Sequence, residues 1–175
     1  MIKKLLPEAA AKSTNSITAI PRLEVETFPG HGIRRLQQVA VAVFSQATEA
    51  WGVTPLQFAV LQKLVHLPGI DQRTLSMEVG FDKSTIGGVI DRLEARSLLQ
   101  RQHTAKDRRV RLLSVTAEGL ALLEAAGPSV LQAQQQMLDP LDDAEREVFT
   151  RMMRKVIDHH EQVAPSGASS PLQEG

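Results

Sequence analysis

Residues 81–116, FDKSTIGGVIDRLEARSLLQRQHTAKDRRVRLLSVT, constrain the chain most, because the period of their apolar positions changes within one short stretch. Ile86, Val89, Ile90, Leu93 and Ser97 recur at the helical spacing and predict one stripe facing a core. Asp82 predicts the N-cap, since its carboxylate can accept from the free N–H groups of the first turn. Phe81 and Ile86 flank that cap as a hydrophobic staple does. Residues 98–103 and 110–115 then alternate like two strands of a hairpin. Between them lies Thr104-Ala105-Lys106-Asp107-Arg108-Arg109, a loop with three basic residues and one acid. Thr116 caps another helix, with Glu118 in its first turn opposing the positive end of the dipole.

The outer face of the helix after Asp82 carries Ser84, Gly88, Asp91 and Ala95, flanked by Lys83, Thr85, Gly87 and Arg92. Two adjacent glycines in a helix interior cost roughly 1 kcal/mol each relative to alanine. Something must offset that cost. One reading is close helix–helix packing inside the protein. The other is an outer face that comes very near another surface, and a DNA major groove admits a helix whose N-terminal residues touch base edges. A helix followed by a hairpin with a basic tip favours the second reading, because it is the layout of a winged helix.

Upstream, Val53-Thr54-Pro55-Leu56-Gln57-Phe58 reads as a complete helix start. Thr54 is the cap, Pro55 fills the first position, where no N–H is needed, and Gln57 closes a capping box. That helix is expected to reach about His66, before Leu67-Pro68-Gly69. Residues 71–79 form a short helix with Leu75 and Val79 inward. Gly80 supplies the left-handed residue of a helix-turn-helix corner. Residues 31–51 predict a first helix with Leu36, Val39, Ala40, Val43, Phe44 and Ala47 on one side. After Thr116 a long helix is expected to kink or break briefly at Pro128 and to stop at Asp139-Pro140. Asp142 or Asp143 then caps a last helix with a stripe of Val148, Phe149, Met152, Met153, Val156 and Ile157. Residues 1–29, with Pro7, Pro21 and Pro29, read as a flexible arm, and 164–175 as a disordered tail. The fold class is therefore mainly α with a small β-hairpin wing: a winged helix-turn-helix with N- and C-terminal dimerisation helices.

Hydrophobic residues make up 42% of the 175, enough for a sizeable core, but aromatics only 3%, so that core must be aliphatic. There is no cysteine, which removes disulfides, thiolate metal sites and thiol redox sensing. No stretch suits a signal peptide or a membrane span, and a cytoplasmic protein is expected. Net charge is zero, yet its distribution is not even. Residues 71–111 hold nine Lys/Arg against six Asp/Glu, whereas 112–175 hold four against ten. A local basic stripe is what phosphate contact requires. No nucleophile elbow, phosphate-binding loop or dinucleotide fingerprint occurs, so no enzyme, catalytic residue or cofactor is expected. The five histidines make no metal-binding pair; His159 and His160 are neighbours that point apart, so no metal is expected either.

The segments DKSTIGGVIDRLEARSLL, 82–99, and DRRVRLLSVTAEG, 107–119, resemble the signature of the MarR family of transcriptional regulators, and the resemblance extends over roughly residues 30–163. IRRLQQ, 33–38, is similar to a subgroup linked to aromatic-acid catabolism, with nicotinate-pathway repressors the nearest likeness. The resemblance implies a homodimer on a pseudo-palindromic operator, released by a small aromatic acid such as 6-hydroxynicotinate. It divides the chain into a winged lobe, 53–115, and a helical dimerisation region, 30–52 and 116–163. It gives base readout to Lys83, Ser84 and Thr85, with Gly87 and Gly88 allowing close approach. Many members of the family carry a longer polar side chain where Gly88 stands. Arg73 and Thr74 become phosphate contacts. Arg108 or Arg109 enters a minor groove, held by Asp107. The effector cleft is expected to use Arg34, Arg35, Gln38, Trp51, Phe58 and His66. Two alternatives are a dimeric helical adaptor that binds no DNA and a repressor of a different regulon. The adaptor has no use for Arg108 and Arg109 beside a glycine-faced helix.

Replacing Arg108 or Arg109 by alanine is therefore expected to weaken binding to all duplexes alike. The slope of log affinity against log salt should fall by roughly 1 for each phosphate that is no longer neutralised. Affinity unchanged for both variants across a salt series would remove the wing from the interface.

Overall fold

The computed structural model describes residues 23–103 and 111–163 and divides the chain into two units, Met1–Arg35 and Leu36–Gly175. The first unit holds a short 3-10 turn, Val25–Thr27, closed by the Thr27 hydroxyl on the Glu24 carbonyl at 2.8 Å, and the opening residues of helix α1, Pro29–Ala47. The remainder of the arm expected over 1–29 and the tail expected over 164–175 lie outside the described residues.

In the second unit α1 stops at Ala47, short of the 51 expected. Thr48 is buried, and its hydroxyl lies within hydrogen-bonding reach of the Phe44 carbonyl at 2.8 Å and the Val53 carbonyl at 3.2 Å. The chain turns through a 3-10 segment, Glu49–Trp51, and Gly52 at φ 56°. This corner leads into α2, Pro55–His66, which starts as read from the sequence. The Gln57 amide donates to the Thr54 hydroxyl at 3.2 Å, and the Thr54 amide donates to the Gln57 side chain at 3.1 Å.

Helices α3, Gln72–Val79, and α4, Lys83–Ala95, meet at Gly80, whose φ of 70° needs no Cβ to be accommodated. Leu75 is buried and Val79 half-buried, as expected. The stripe of α4 is buried at Ile86, Val89, Ile90 and Leu93, but Ser97 departs from it. The helix has already ended: the Ser97 amide donates to the Glu94 carbonyl at 2.8 Å and the Leu98 amide to that of Leu93 at 3.0 Å. This is a Schellman turn, and Ser97 occupies its left-handed position at φ 59°.

Strands β2, Leu99–His103, and β3, Arg111–Val115, form the hairpin with Arg101 opposite Leu113. A third strand was not expected. Ile70–Asp71, numbered β1 by chain order, pairs antiparallel with the far edge of β3, giving the sheet order β1-β3-β2. Helix α5, Ala117–Met137, runs through Pro128 without interruption. The proline withholds one N–H from the Glu124 carbonyl, but both residues are exposed and water can replace that donor. Helix α6, Asp143–Val163, begins with a reciprocal box between Asp142 and Glu145 at 2.9 and 3.0 Å.

One aliphatic core joins these elements: Val60, Leu61 and Leu64 of α2, Leu75, the α4 stripe, Leu98, Leu99, Leu113 and Leu123. None of the α6 residues is buried, and Val148, Met152, Val156 and Ile157 are exposed along it. No helix among the described residues is long and apolar enough to cross a membrane.

Among the glycines of the described residues the closest approach is at Gly119, where a Cβ would stand 2.2 Å from the Leu98 carbonyl oxygen and 2.6 Å from a Val115 methyl. Because the obstacle is backbone, Gly119→Ala must push α5 off the hairpin. We expect a loss of about 2–3 kcal/mol, the upper range for overpacking, read as a lower urea midpoint at an unchanged slope. A midpoint equal to that of the wild type would contradict this packing.

Candidate nucleic-acid interface

Helix α4 is presented by its own core. Ile86, Ile90 and Leu93 are fully buried, which turns Lys83, Ser84 and Asp91 outward, all three exposed. Its start is fixed by Asp82. Oδ1 accepts from the Ser84 amide at 2.8 Å, the Thr85 amide at 2.9 Å and the Ser84 hydroxyl at 2.6 Å, and Oδ2 accepts from the Thr85 hydroxyl. These bonds, led by the Ser84 and then the Thr85 hydroxyl, hold the Asp82 carboxyl far below the usual carboxylate range. Asp71 caps α3 in the same way through the Thr74 amide at 2.8 Å, which lowers its carboxyl too. Arg73 is exposed and Thr74 half-buried on the first turn of α3. The Arg73, Thr74, Lys83, Ser84 and Thr85 positions therefore all belong to the first turns of the two helices of the corner.

The two glycines separate in role. A Cβ at Gly87 would lie 3.0 Å from the Gln72 side-chain nitrogen, which donates to the Lys83 carbonyl at 2.9 Å across the helix-turn-helix corner. A Cβ at Gly88 would meet nothing nearer than the Arg92 guanidinium of its own helix at 3.5 Å. A Cβ at the first glycine thus crowds a side chain of the neighbouring helix, and at the second it does not. Asp107, Arg108 and Arg109 lie outside the described residues.

Three side chains that sequence reading passed over lock this assembly. Gln72 bridges α3 to α4 through the Lys83 carbonyl. Arg101 of β2, with its side chain mostly buried, donates to Asp91 at 2.5 Å and to Glu94, so the hairpin is clamped to α4. The spacing of Asp91 and Glu94 on one helix face was the available signal, but it named no partner. Arg96 donates to the Trp51 and Gly52 carbonyls, both at 2.7 Å, and ties the end of α4 to the corner before α2.

The residues expected to meet an effector belong to α1, the Glu49–Trp51 turn and α2. Trp51 and Phe58 are half-buried, and Phe58 packs edge-on against Phe44 with ring centroids 5.9 Å apart. Gln38 is exposed on α1. His66 is exposed at the end of α2, eight residues and so about 12 Å along the axis from Phe58. The structure does not bring His66 beside that ring. Arg34 and Arg35 are exposed in the first unit.

The sequence pattern of the MarR family matches residues 53–110. The chain is 33% identical over 132 residues to the HTH-type transcriptional repressor NicR of Pseudomonas putida, covering 75% of this chain and 84% of NicR. It resembles the crystal structure of the transcriptional regulator PcaV from Streptomyces coelicolor in complex with its natural ligand. The TM-score is 0.73 at 38% identity, over 79% of this chain and 98% of PcaV. It resembles equally, with a TM-score of 0.73 and 34% identity over 79% of this chain and 98% of the other, BpsR from Bordetella bronchiseptica. That structure concerns the regulation of BpsR's DNA binding by 6-hydroxynicotinic acid.

The split between the glycines has a measurable consequence. Gly88→Ala should raise the melting temperature, since the helix gains up to about 1 kcal/mol and no neighbour is displaced. Gly87→Ala should gain less or lose, because the Gln72 amide must give way. Calorimetry that ranks Gly87→Ala above Gly88→Ala would contradict the assignment.

Proposed function

The chain belongs to the MarR family of transcriptional regulators, and on that premise we propose that it represses genes of aromatic-acid catabolism, nicotinate degradation among them. It is a ligand-responsive DNA-binding repressor that acts as a homodimer. The observation that carries the DNA-binding reading is the two-sidedness of α4. Its apolar side is consumed by the core, while Lys83, Ser84 and Gly88 leave a small, polar face beside a sheet that braces the helix. A helix presented this way can lie in a major groove with its first turn on the bases. We assign base contacts to Lys83, Ser84 and Thr85, phosphate contacts to Arg73 and Thr74, and minor-groove contact to Arg108 or Arg109 beside Asp107. Dimerisation supports the same reading. The exposed stripe of Val148, Met152, Val156 and Ile157 on α6 leaves an apolar surface that a second copy would cover. Two-fold symmetry then requires half-sites about 10 bp apart.

The likeness to NicR and BpsR supports an aromatic acid as the signal. A carboxylate is best held by a guanidinium, whose fork matches it bidentately, and we assign that contact to Arg34 or Arg35. Release requires differential affinity: a hundredfold preference for the released form corresponds to about 2.7 kcal/mol.

The test titrates 6-hydroxynicotinate, nicotinate, benzoate and salicylate against the operator complex. We expect at least one to release DNA at millimolar concentration or below. Arg34→Ala or Arg35→Ala should keep operator affinity and lose that response. Release by none of the four acids would refute the effector class, while operator binding itself tests the repressor.

A further inference from the structure

The Asp82 network determines the direction in which two hydroxyl protons point. An ionised carboxylate only accepts, and a hydroxyl has a single proton and two lone pairs. Ser84 Oγ at 2.6 Å from Oδ1 must therefore donate to it, and Thr85 Oγ1 must donate to Oδ2. With the two backbone amides, Asp82 receives four donors. Ser84 is exposed on the first turn of α4, and Thr85 is half-buried. What Ser84 offers outward is thus lone pairs alone.

We propose that Asp82 is a specificity-determining residue: by taking the Ser84 proton it makes Ser84 an acceptor-only reader, which selects a base carrying an exocyclic amino group. The inference rests on the DNA-binding reading above and deepens it. In the major groove adenine offers its N6 amino group and cytosine its N4, whereas guanine and thymine show only acceptors beside the thymine methyl. An acceptor-only serine bonds to the first pair and meets the second with lone pair against lone pair. A serine free to rotate discriminates between neither, so the selectivity belongs to Asp82 as much as to Ser84. Turning the Ser84 proton toward DNA is opposed in two ways. It exchanges a charge-assisted bond for a neutral one of about half the strength. It also withdraws a donor from a carboxylate that lies in the negative field of the phosphates. The same four donors explain how an acid is tolerated at the DNA-facing end of the helix. Lys83, next to Ser84, is a donor only, so adjacent positions present opposite hydrogen-bonding character.

The experiment selects duplexes from a randomised pool with the full-length wild type, Ser84→Ala and Asp82→Gly. The wild-type pool should contain, once per half-site, an adenine or cytosine whose enrichment the Ser84→Ala pool loses. Glycine is tolerated at an N-cap and has no side-chain acceptor, so it frees the Ser84 proton; the Asp82→Gly pool should then admit guanine or thymine at the same position. Replacing the selected base by its analogue without the amino group should weaken the wild type about fivefold, the worth of one hydrogen bond, and leave Ser84→Ala unaffected. The proposal is overturned if the Ser84→Ala pool equals the wild-type pool, if the base it releases is guanine or thymine, or if a folded Asp82→Gly variant keeps the wild-type choice. Should Asp82→Gly fail to fold, as judged by its melting temperature, the analogue measurement decides alone. A wild type that enriches no sequence would instead overturn the function proposed above.

Discussion

The contact between Gly119 and the Leu98 carbonyl is the joint on which the arrangement of this protein depends. The Thr116 amide donates to that same carbonyl at 3.2 Å, and the Thr116 hydroxyl lies 2.6 Å from the Ser97 carbonyl while accepting from the Gly119 amide at 3.1 Å. One residue therefore caps α5 and pins it to the turn that ends α4. Backbone meets backbone here with no side chain between, so the angle between the hairpin and α5 has little freedom. Ser97 in its left-handed conformation is part of the same joint, since an extended residue there would carry Leu98 away from α5.

Around that joint, charged side chains orient rather than stabilise. Arg101 on Asp91 and Glu94, Arg96 on the Trp51 and Gly52 carbonyls, and Lys63 on Glu78 each link two elements at the edge of the core. An exposed pair such as Lys63–Glu78 contributes typically under about 1 kcal/mol. The burial of Leu61, Leu64, Ile86, Ile90 and Leu93 supplies far more. What Arg101 and Arg96 add is direction: they resist rotation of α4 about its own apolar stripe, which the non-directional core does not. A helix that reads base edges needs that rotational setting as much as it needs stability.

The chain also distributes its charge unevenly. Within residues 71–111 the basic surplus follows α4: residues 96–111 hold six Lys/Arg against one Asp/Glu, whereas 71–95 hold three against five. The C-terminal segment, acidic over 112–175, carries the exposed apolar stripe of α6.

The parts whose cause lies within about four residues were legible in the chain. Thr54 with Gln57, Asp82 and Thr116 each cap the helix they precede, because the donor and acceptor are neighbours in the chain. Asp71, read as the first helical residue, is a cap of the same kind. Gly80 marked the corner for the same reason, and the period of Ile86, Val89, Ile90 and Leu93 announced the buried face. The family resemblance carried the function. Tertiary structure decided the rest. The two-residue strand β1 is too short to show alternation and exists only because β3 lies beside it. Ser97 continued the helical period, yet the chain turned there because Leu98 had a place in the core and a bond to α5. Gly87 and Gly88 are identical as letters. Only Gln72, brought alongside from the preceding helix, distinguishes a glycine that packs closely against a neighbour from one left open to another surface. Arg96 finds carbonyls 44 and 45 residues away, a pairing that no local rule contains, because it follows from how the helices pack and not from either segment alone.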